Sequence, residues 1–288
     1  MKKSIKRIVL AIMLALAATG CAAETAAVNS APIYVISREE GSGTRSAFIE
    51  LFGVEQKDAD GNKVDYTVDS AEITNSTSVM LLSVAGDKNA IGYISLGSLD
   101  ASVKALSIDG VAPSVETVKD GTYKVSRPFN IVTKGGLSEG ANDFVKFILS
   151  AEGQAVVSAN GYIGLDGTEA FTTAKPSGKI VVAGSSSVSP IMEKLAEAYA
   201  VINPALTVDI QQSDSTTGVN SAIDGICDVG MASRELKDSE IEKGLTQTKI
   251  AIDGLVVIVN LNNAVSNAAA EQIKGVYTGE LTTWADIR

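Results

Sequence analysis

The feature that most constrains this chain is a recurring unit of apolar strand, hydroxyl-rich glycine turn and helix. The run Ile33-Tyr34-Val35-Ile36 passes through Arg38-Glu39-Glu40-Gly41-Ser42-Gly43-Thr44-Arg45 into Ser46-Ala47-Phe48-Ile49-Glu50-Leu51-Phe52, which has helical spacing. Lys179-Ile180-Val181-Val182-Ala183 leads in the same way through Gly184-Ser185-Ser186-Ser187-Val188-Ser189-Pro190 into a helix over Ile191–Val201. A third unit runs from Thr207–Gln211 through Ser213-Asp214-Ser215-Thr216-Thr217-Gly218 into Val219–Ile223, and Ala232-Ser233-Arg234-Glu235-Leu236 closes the strand Cys227–Met231. Alternating strands and helices of this kind predict α/β architecture, with mostly parallel sheets joined by crossover helices.

The turns also carry chemistry. A glycine- and serine-rich turn at a helix N-terminus gathers backbone N–H groups that have no partner inside the helix. In Arg38–Arg45 those donors, two hydroxyls and a guanidinium are the groups that hold a tetrahedral oxyanion. No Gly-Lys-Ser/Thr ends the stretch, so it is not a Walker A loop. Taken alone it reads equally as a tight turn, with Gly41 and Gly43 at positive φ and the hydroxyls capping the helix. Four such turns at the carboxyl ends of parallel strands define a crevice, and they supply more donors than capping requires.

Strand candidates are 33–37, 90–95, 103–108, 129–133, 179–183, 206–211, 227–232, 247–252 and 255–260. Helix candidates are 45–53, 76–86, 139–149, 151–159, 190–202, 216–224 and 269–276. The segment 55–72 contains Asp58-Ala59-Asp60-Gly61-Asn62, but its Gly is misplaced for a calcium loop and no Glu closes it, so it reads as a hairpin-like turn. Gly164–Lys179, rich in Gly, Thr and Ser, reads as a linker.

Residues 1–20 read as a targeting segment: Lys2, Lys3, Lys6 and Arg7, an apolar stretch from Ile8 to Ala18, then Ala18-Thr19-Gly20-Cys21. The apolar stretch is too short for a bilayer span, which takes about 20 residues. Ala18-Thr19-Gly20-Cys21 resembles a bacterial lipoprotein lipobox, which implies cleavage ahead of Cys21 and lipidation of its sulfur, with 21–31 as a tether; an ordinary secretory signal is the alternative. Loss of those four cations leaves 20 Lys and Arg against 34 Asp and Glu, a net charge of −14. Nucleic acid is excluded as a partner by that balance. An anion site must then rely on local dipoles and a few placed cations. Once Cys21 is used, Cys227 stands alone, which forbids an intramolecular disulfide and predicts a small buried apolar side chain. The chain has no histidine, so Ser-His-Asp chemistry and histidine metal sites are absent. A hydrolase, such as a phosphatase with a serine nucleophile, has nothing to activate it. No cofactor is expected.

The four turns, together with Ala90-Ile91-Gly92-Tyr93, Arg127-Pro128-Phe129, and Tyr277-Thr278-Gly279 with Trp284, resemble the phosphate-binding lipoproteins of bacterial ABC phosphate importers (PstS type). The resemblance runs from Pro32 to Arg288, and it includes a lipobox-like segment that has Ala18 where Leu is usual. It implies a two-lobed, type II periplasmic-binding-protein fold (PBP-like) closing on dehydrated inorganic phosphate, for delivery to ABC permease and ATPase subunits. The location implied is extracytoplasmic, anchored to the cell membrane through Cys21. Carried over by position, Arg38 is the charged clamp and Ser42, Gly43 and Thr44 donate hydroxyl or N–H bonds. Ser187, Val188 and Ser189 form one anion loop and Ser215 another. Ser233 stands where some members have an Asp that accepts the proton of hydrogen phosphate, which leaves other oxyanions (sulfate, molybdate) as alternatives. A phosphate-sensing or adhesion module would keep the same fold.

In the family the Gly-Ser-Ser-Ser-Val half precedes the Arg-Glu-Glu-Gly-Ser-Gly-Thr half, whereas here the order is reversed. The expectation is a circularly permuted protein, with a fragment of a tandem binding protein, or a chain truncated at Arg288 with its last lobe incomplete, as the alternatives. One lobe would comprise 32–98 plus 253–288 and carry the Arg38 loop. The other, 99–252, would carry the Ser187, Ser215 and Ser233 loops. Hinge crossings fall near 96–103 and 250–255 on this reading, and the linker 164–179 joins the family's usual ends.

Overall fold

A computed structural model describes residues 31–287. The signal-like segment, Cys21 and the tether up to residue 30 lie outside the described residues. Strands and helices follow in chain order as β1 Tyr34–Arg38, α1 Gly43–Leu51, β2 Glu55–Lys57, β3 Lys63–Asp65, β4 Glu72–Thr74, α2 Thr77–Gly86, β5 Ala90–Ser95, β6 Val103–Ala105 and β7 Ser107–Ile108. They continue with α3 Val115–Lys119, β8 Ser126–Lys134, α4 Glu139–Leu149, α5 Ala151–Ala159, β9 Gly178–Ser185, α6 Ser189–Ile202, β10 Leu206–Ser213, α7 Ser215–Ile223, β11 Val229–Ala232, α8 Asp238–Ile241, β12 Leu245–Asn260, β13 Asn267–Ala268 and α9 Ala270–Tyr277.

One continuous path of strands, β10-β9-β11-β8-β12-β5-β1-β4, runs through the molecule, with β6 paired to β12. The outer ladders β10-β9-β11 and β5-β1-β4 are parallel, as the strand-turn-helix pattern predicts. The central pairs β11-β8, β8-β12 and β12-β5 are antiparallel. The mixed order arises because β12 is a single strand of 16 residues, where the sequence suggests two strands broken at Asp253-Gly254. Its first part, Leu245–Gly254, pairs with β8, and Leu255–Asn260 pairs with β5 and β6.

Apolar side chains alternate across this sheet with period two, and so build cores on both faces. Leu255, Val257 and Val259 pack with Phe48, Tyr93, Leu106, Val118 and Trp284. Val256 and Ile258 face Met80 and Val84. Beyond Gly254, a second core gathers Phe129, Ile131, Phe144, Ile180, Val182, Leu195, Tyr199 and Met231. Each fully buried Phe, Ile or Leu of this kind contributes roughly 1.5–3 kcal/mol.

The expected boundary at 98/99 shifts. Val103–Ala105 pair with the far half of β12, and Leu106, Val118, Tyr123 and Val125 join the core around Phe48. The chain therefore leaves the Arg38 side between Val125 and Phe129, along β8, and the expected crossing near 96–103 is replaced. Residues 55–65 form the β2–β3 hairpin, whose loop is closed by Asp58 accepting from the N–H groups of Asp60 and Asn62. Residues 164–177 contain no helix or strand, and Phe171 edges against Phe147 at 5.2 Å between ring centroids. Cys227 is buried beside Val219, Ala222 and Leu236.

Candidate functional site

Arg38 ends β1 and is 2% exposed. Its backbone N–H donates to the Tyr93 hydroxyl at 3.1 Å, and that hydroxyl also meets Ser37 Oγ at 2.8 Å. Burial raises the Tyr93 hydroxyl to about 12, against the pull of the Ser37 and Arg38 hydrogen bonds, so it stays neutral. Phe48 stacks on the Tyr93 ring at 4.0 Å, which ties α1 to the same point. The Arg38 guanidinium forks onto Glu39 through Nε (2.7 Å) and Nη2 (2.6 Å), and Nη2 also donates to Ser186 Oγ at 3.0 Å.

Ser42 is the N-cap of α1, its Oγ accepting from Arg45 N–H at 3.3 Å. The cap leaves the first N–H groups of α1, at Gly43 and Thr44, without helical partners.

On the other side of the cleft, Gly184 has φ of 132°, a conformation that favours glycine. A Cβ there would lie 2.5 Å from Met231 O and 3.0 Å from Gly218 Cα. This backbone contact lets β9, β11 and α7 meet, and it brings Ser185–Ser187 beside Ser215 and Ser233. Ser185 Oγ donates to Ser233 Oγ at 3.0 Å, and Ser233 N–H donates to Ser215 Oγ at 3.1 Å. Ser187 N–H donates to Ser185 Oγ at 3.3 Å.

The two sides touch. Thr44 Oγ1 and Ser187 Oγ are 2.7 Å apart, and Thr216 N–H donates to Gly41 O at 3.1 Å. A Cβ on Gly43 would lie 2.4 Å from Ser215 Oγ and 2.8 Å from Ser233 Oγ. Arg38, Gly43, Thr44, Ser187, Ser215 and Ser233 thus converge on one buried point, where helices α1, α6 and α7 begin with their positive dipole ends. Three other residues singled out from sequence serve the loops themselves. Ser42 caps α1, the Val188 side chain is buried in a core with its N–H on Ser185 O, and Ser189 Oγ donates to Ser185 O at 3.1 Å.

The structure adds members that sequence reasoning passed over. Ser185 and Ser186 lie in the quoted motif and bond Ser233 and Arg38 respectively. Thr77, at the start of α2, is 3.3 Å from Ser187 Oγ and 3.4 Å from Ser186 Oγ. Arg127 is also buried: its Nε and Nη2 reach Asp253 Oδ2, each at 3.2 Å, and Nη1 donates to Ser233 O at 3.3 Å. Ser95 Oγ donates to the other Asp253 oxygen at 2.7 Å. Burial pushes the Asp253 carboxyl up to about 6, with Arg127 and the Ser95 hydrogen bond pulling the other way. Beside the cleft opens a cavity of about 640 Å³ lined from both sides, with Ser46, Glu50, Arg127 and Arg234 among its walls.

The side chains that meet across the cleft are the Arg38 guanidinium, paired with Glu39, and the hydroxyls of Thr44, Ser186, Ser187, Ser215 and Ser233, a donor set that suits a small oxyanion. Among the described residues no cluster of His, Cys, Asp and Glu suits a metal ion, and no helix is long and apolar enough to cross a membrane.

A PBP superfamily domain matches residues 22–152 and 169–287. A phosphate-binding protein PstS 2 of Streptococcus agalactiae is 55% identical, over 93% of this chain and 92% of that protein. The chain belongs to the PstS family of the PBP superfamily. Another PstS 2 member, from Streptococcus pneumoniae, is 48% identical over 96% of this chain and 98% of its own length. The crystal structure of a phosphate ABC transporter, phosphate-binding protein from S. pneumoniae TIGR4 matches with a TM-score of 0.70 at 49% identity, over 90% of this chain and 100% of that one. PstS membership and this likeness fix the fold as PBP-like.

Proposed function

We propose that this protein, outside the cytoplasm, captures inorganic phosphate between its two sides and delivers it to the permease of an ABC phosphate importer driven by its ATPase subunits. The observation that carries the reading is the closure of the Arg38 loop onto three serine loops, with Gly43 against Ser215 and Ser233 and Thr44 against Ser187. PstS relatives named for phosphate binding support the same ligand. In this reading Arg38 is the charged clamp, Gly43, Thr44, Ser187, Ser215 and Ser233 donate to the phosphate oxygens, and Ser42, Val188 and Ser189 hold the donor loops in shape. Binding is charge-assisted hydrogen bonding without a reaction. Membership of a family of substrate-binding transport proteins supports reading the protein as a carrier. Isothermal calorimetry of the purified protein with phosphate tests this, and micromolar or tighter binding with unit stoichiometry is the expected result.

Sulfate is the second ligand to titrate, because Ser233 supplies no carboxylate to accept the proton of hydrogen phosphate. Competition of equal strength by sulfate would make the protein a general oxyanion binder. Lipidation at Cys21 completes the proposal, and mass spectrometry of the mature N-terminus reads it directly. We also propose that the sequence order is a circular permutation. The pairing of Pro32 with Thr283 and the irregular path of 164–177 support it. A chain re-joined from 287 to 31 and opened within 164–177 should fold and bind phosphate equally.

A further inference from the structure

We infer that Thr77 is a further phosphate ligand and that the N-terminus of α2 forms another wall of the cleft, facing the Ser186–Ser187 loop. The inference rests on the phosphate reading and deepens it. β1 and β4 pair in parallel with Arg38 opposite Thr74, so the chain leaves β4 beside the Arg38 guanidinium and enters α2 three residues later. Thr77 is 5% exposed. Its hydroxyl has no task in the helix, because Ser76 is the N-cap and accepts from Val79 N–H at 3.2 Å.

The Thr77 hydroxyl instead points across the cleft. Its distances to Ser186 Oγ (3.4 Å) and Ser187 Oγ (3.3 Å) are long for a bond between hydroxyls, which ordinarily settle at about 2.7–2.8 Å. Those two serines are the same ones engaged by Arg38 and Thr44. Arg38, Thr44, Thr77, Ser186 and Ser187 therefore surround one volume, with Thr77 held loosely by protein and free to turn its proton to an anion.

The placement is rigid. Met80 and Val84 are fully buried, and Gly92 of β5 lets α2 lie directly on the sheet, since a Cβ there would fall 2.4 Å from Met80 Sδ. A helix seated this way presents Thr77 at a fixed height above the β1–β4 edge.

The test is phosphate calorimetry on the wild type, Thr77→Val and Thr77→Ser, with the melting temperature of each ligand-free protein measured alongside. Valine keeps the shape and removes the hydroxyl, so affinity should fall at least fivefold with the melting temperature unchanged. Serine restores the hydroxyl and should bind within twofold of wild type. Wild-type affinity in Thr77→Val overturns the inference. Should Thr77→Val melt early, Thr77→Ala takes its place, and equal affinity of Thr77→Ala and Thr77→Ser is then the overturning result. A wild-type protein that binds no phosphate overturns the underlying reading, an outcome distinct from a wild type that binds while Thr77→Val is indifferent.

Discussion

Thr44 and Ser187 stand 143 positions apart in sequence, yet their hydroxyl oxygens lie 2.7 Å apart in the fold. Each sits at the start of a helix that follows a parallel strand, one on either side of the β8–β12 crossing. The contact joins two turns that separately could be no more than helix caps.

Arg38 is the first residue to remove. Its guanidinium is buried and held in a fork by Glu39, with a third bond to Ser186. A charge-assisted bond to phosphate contributes about 1.5–3 kcal/mol. Arg38→Ala should therefore weaken phosphate at least tenfold by calorimetry, about 1.4 kcal/mol. Arg38→Lys should recover only part, because an ammonium cannot reproduce the planar fork.

Gly43 tests closure independently of charge. A methyl group in Gly43→Ala would meet Ser215 Oγ at 2.4 Å and Ser233 Oγ at 2.8 Å, where the two sides come together. The expected outcome is a loss of phosphate affinity greater than tenfold and a larger radius of gyration by small-angle scattering. A compact variant with wild-type affinity would remove Gly43 from the contact.

Asp253 gives a pH signature. Its carboxyl rises from 3.8 to about 6, chiefly through burial. Between about pH 4 and 6 the folded protein holds a proton that the unfolded chain has released. This group's contribution to stability therefore falls as pH rises through that window. Urea unfolding of wild type and Asp253→Asn at pH 4, 5 and 7 reads the effect. The stability of wild type minus that of the variant should shrink from pH 4 to 7, and a constant difference would count against the assignment.

Cys227 should be inert in the native state. It is buried beside Val219 and Ala222, and burial raises its thiol to about 11, so little thiolate exists at neutral pH. In a chain carrying Cys21→Ala, a thiol reagent should label Cys227 only after denaturant is added.

The longer helices and the outer strands β1, β5, β9, β10 and β11 were legible because each carries a local signature, whereas the edge strand β4 and the short helices α3 and α8 were not. Pro190 sits in the first turn of α6, a hydroxyl cap precedes α1, α2, α4 and α5, and the apolar runs have strand length. Asp253-Gly254 misled, since Asp-Gly is a turn signal, yet it lies mid-strand. There Asp253 is held by Ser95 and Arg127, and a Cβ on Gly254 would meet Val118 at 3.0 Å. Those are long-range contacts that no local window contains. Thr77 escaped notice for the same reason. The stretch Asn75-Ser76-Thr77-Ser78 reads as ordinary capping until β4 pairs with β1 and sets it beside Arg38.

The sequence by itself determined the alternation of strand and helix, the hydroxyl-rich turns and the absence of histidine chemistry, because these depend on residue type and short spacing alone. Only the tertiary structure decided which turns face one another, where the chain crosses between its two cores, and that Arg127 and Asp253 lie buried behind Ser233. The pairing of β12 with both β8 and β5 settles those relations, and it joins residues more than a hundred positions apart. Strand register is fixed by burial of alternating side chains across the whole sheet, a collective property that no single segment carries.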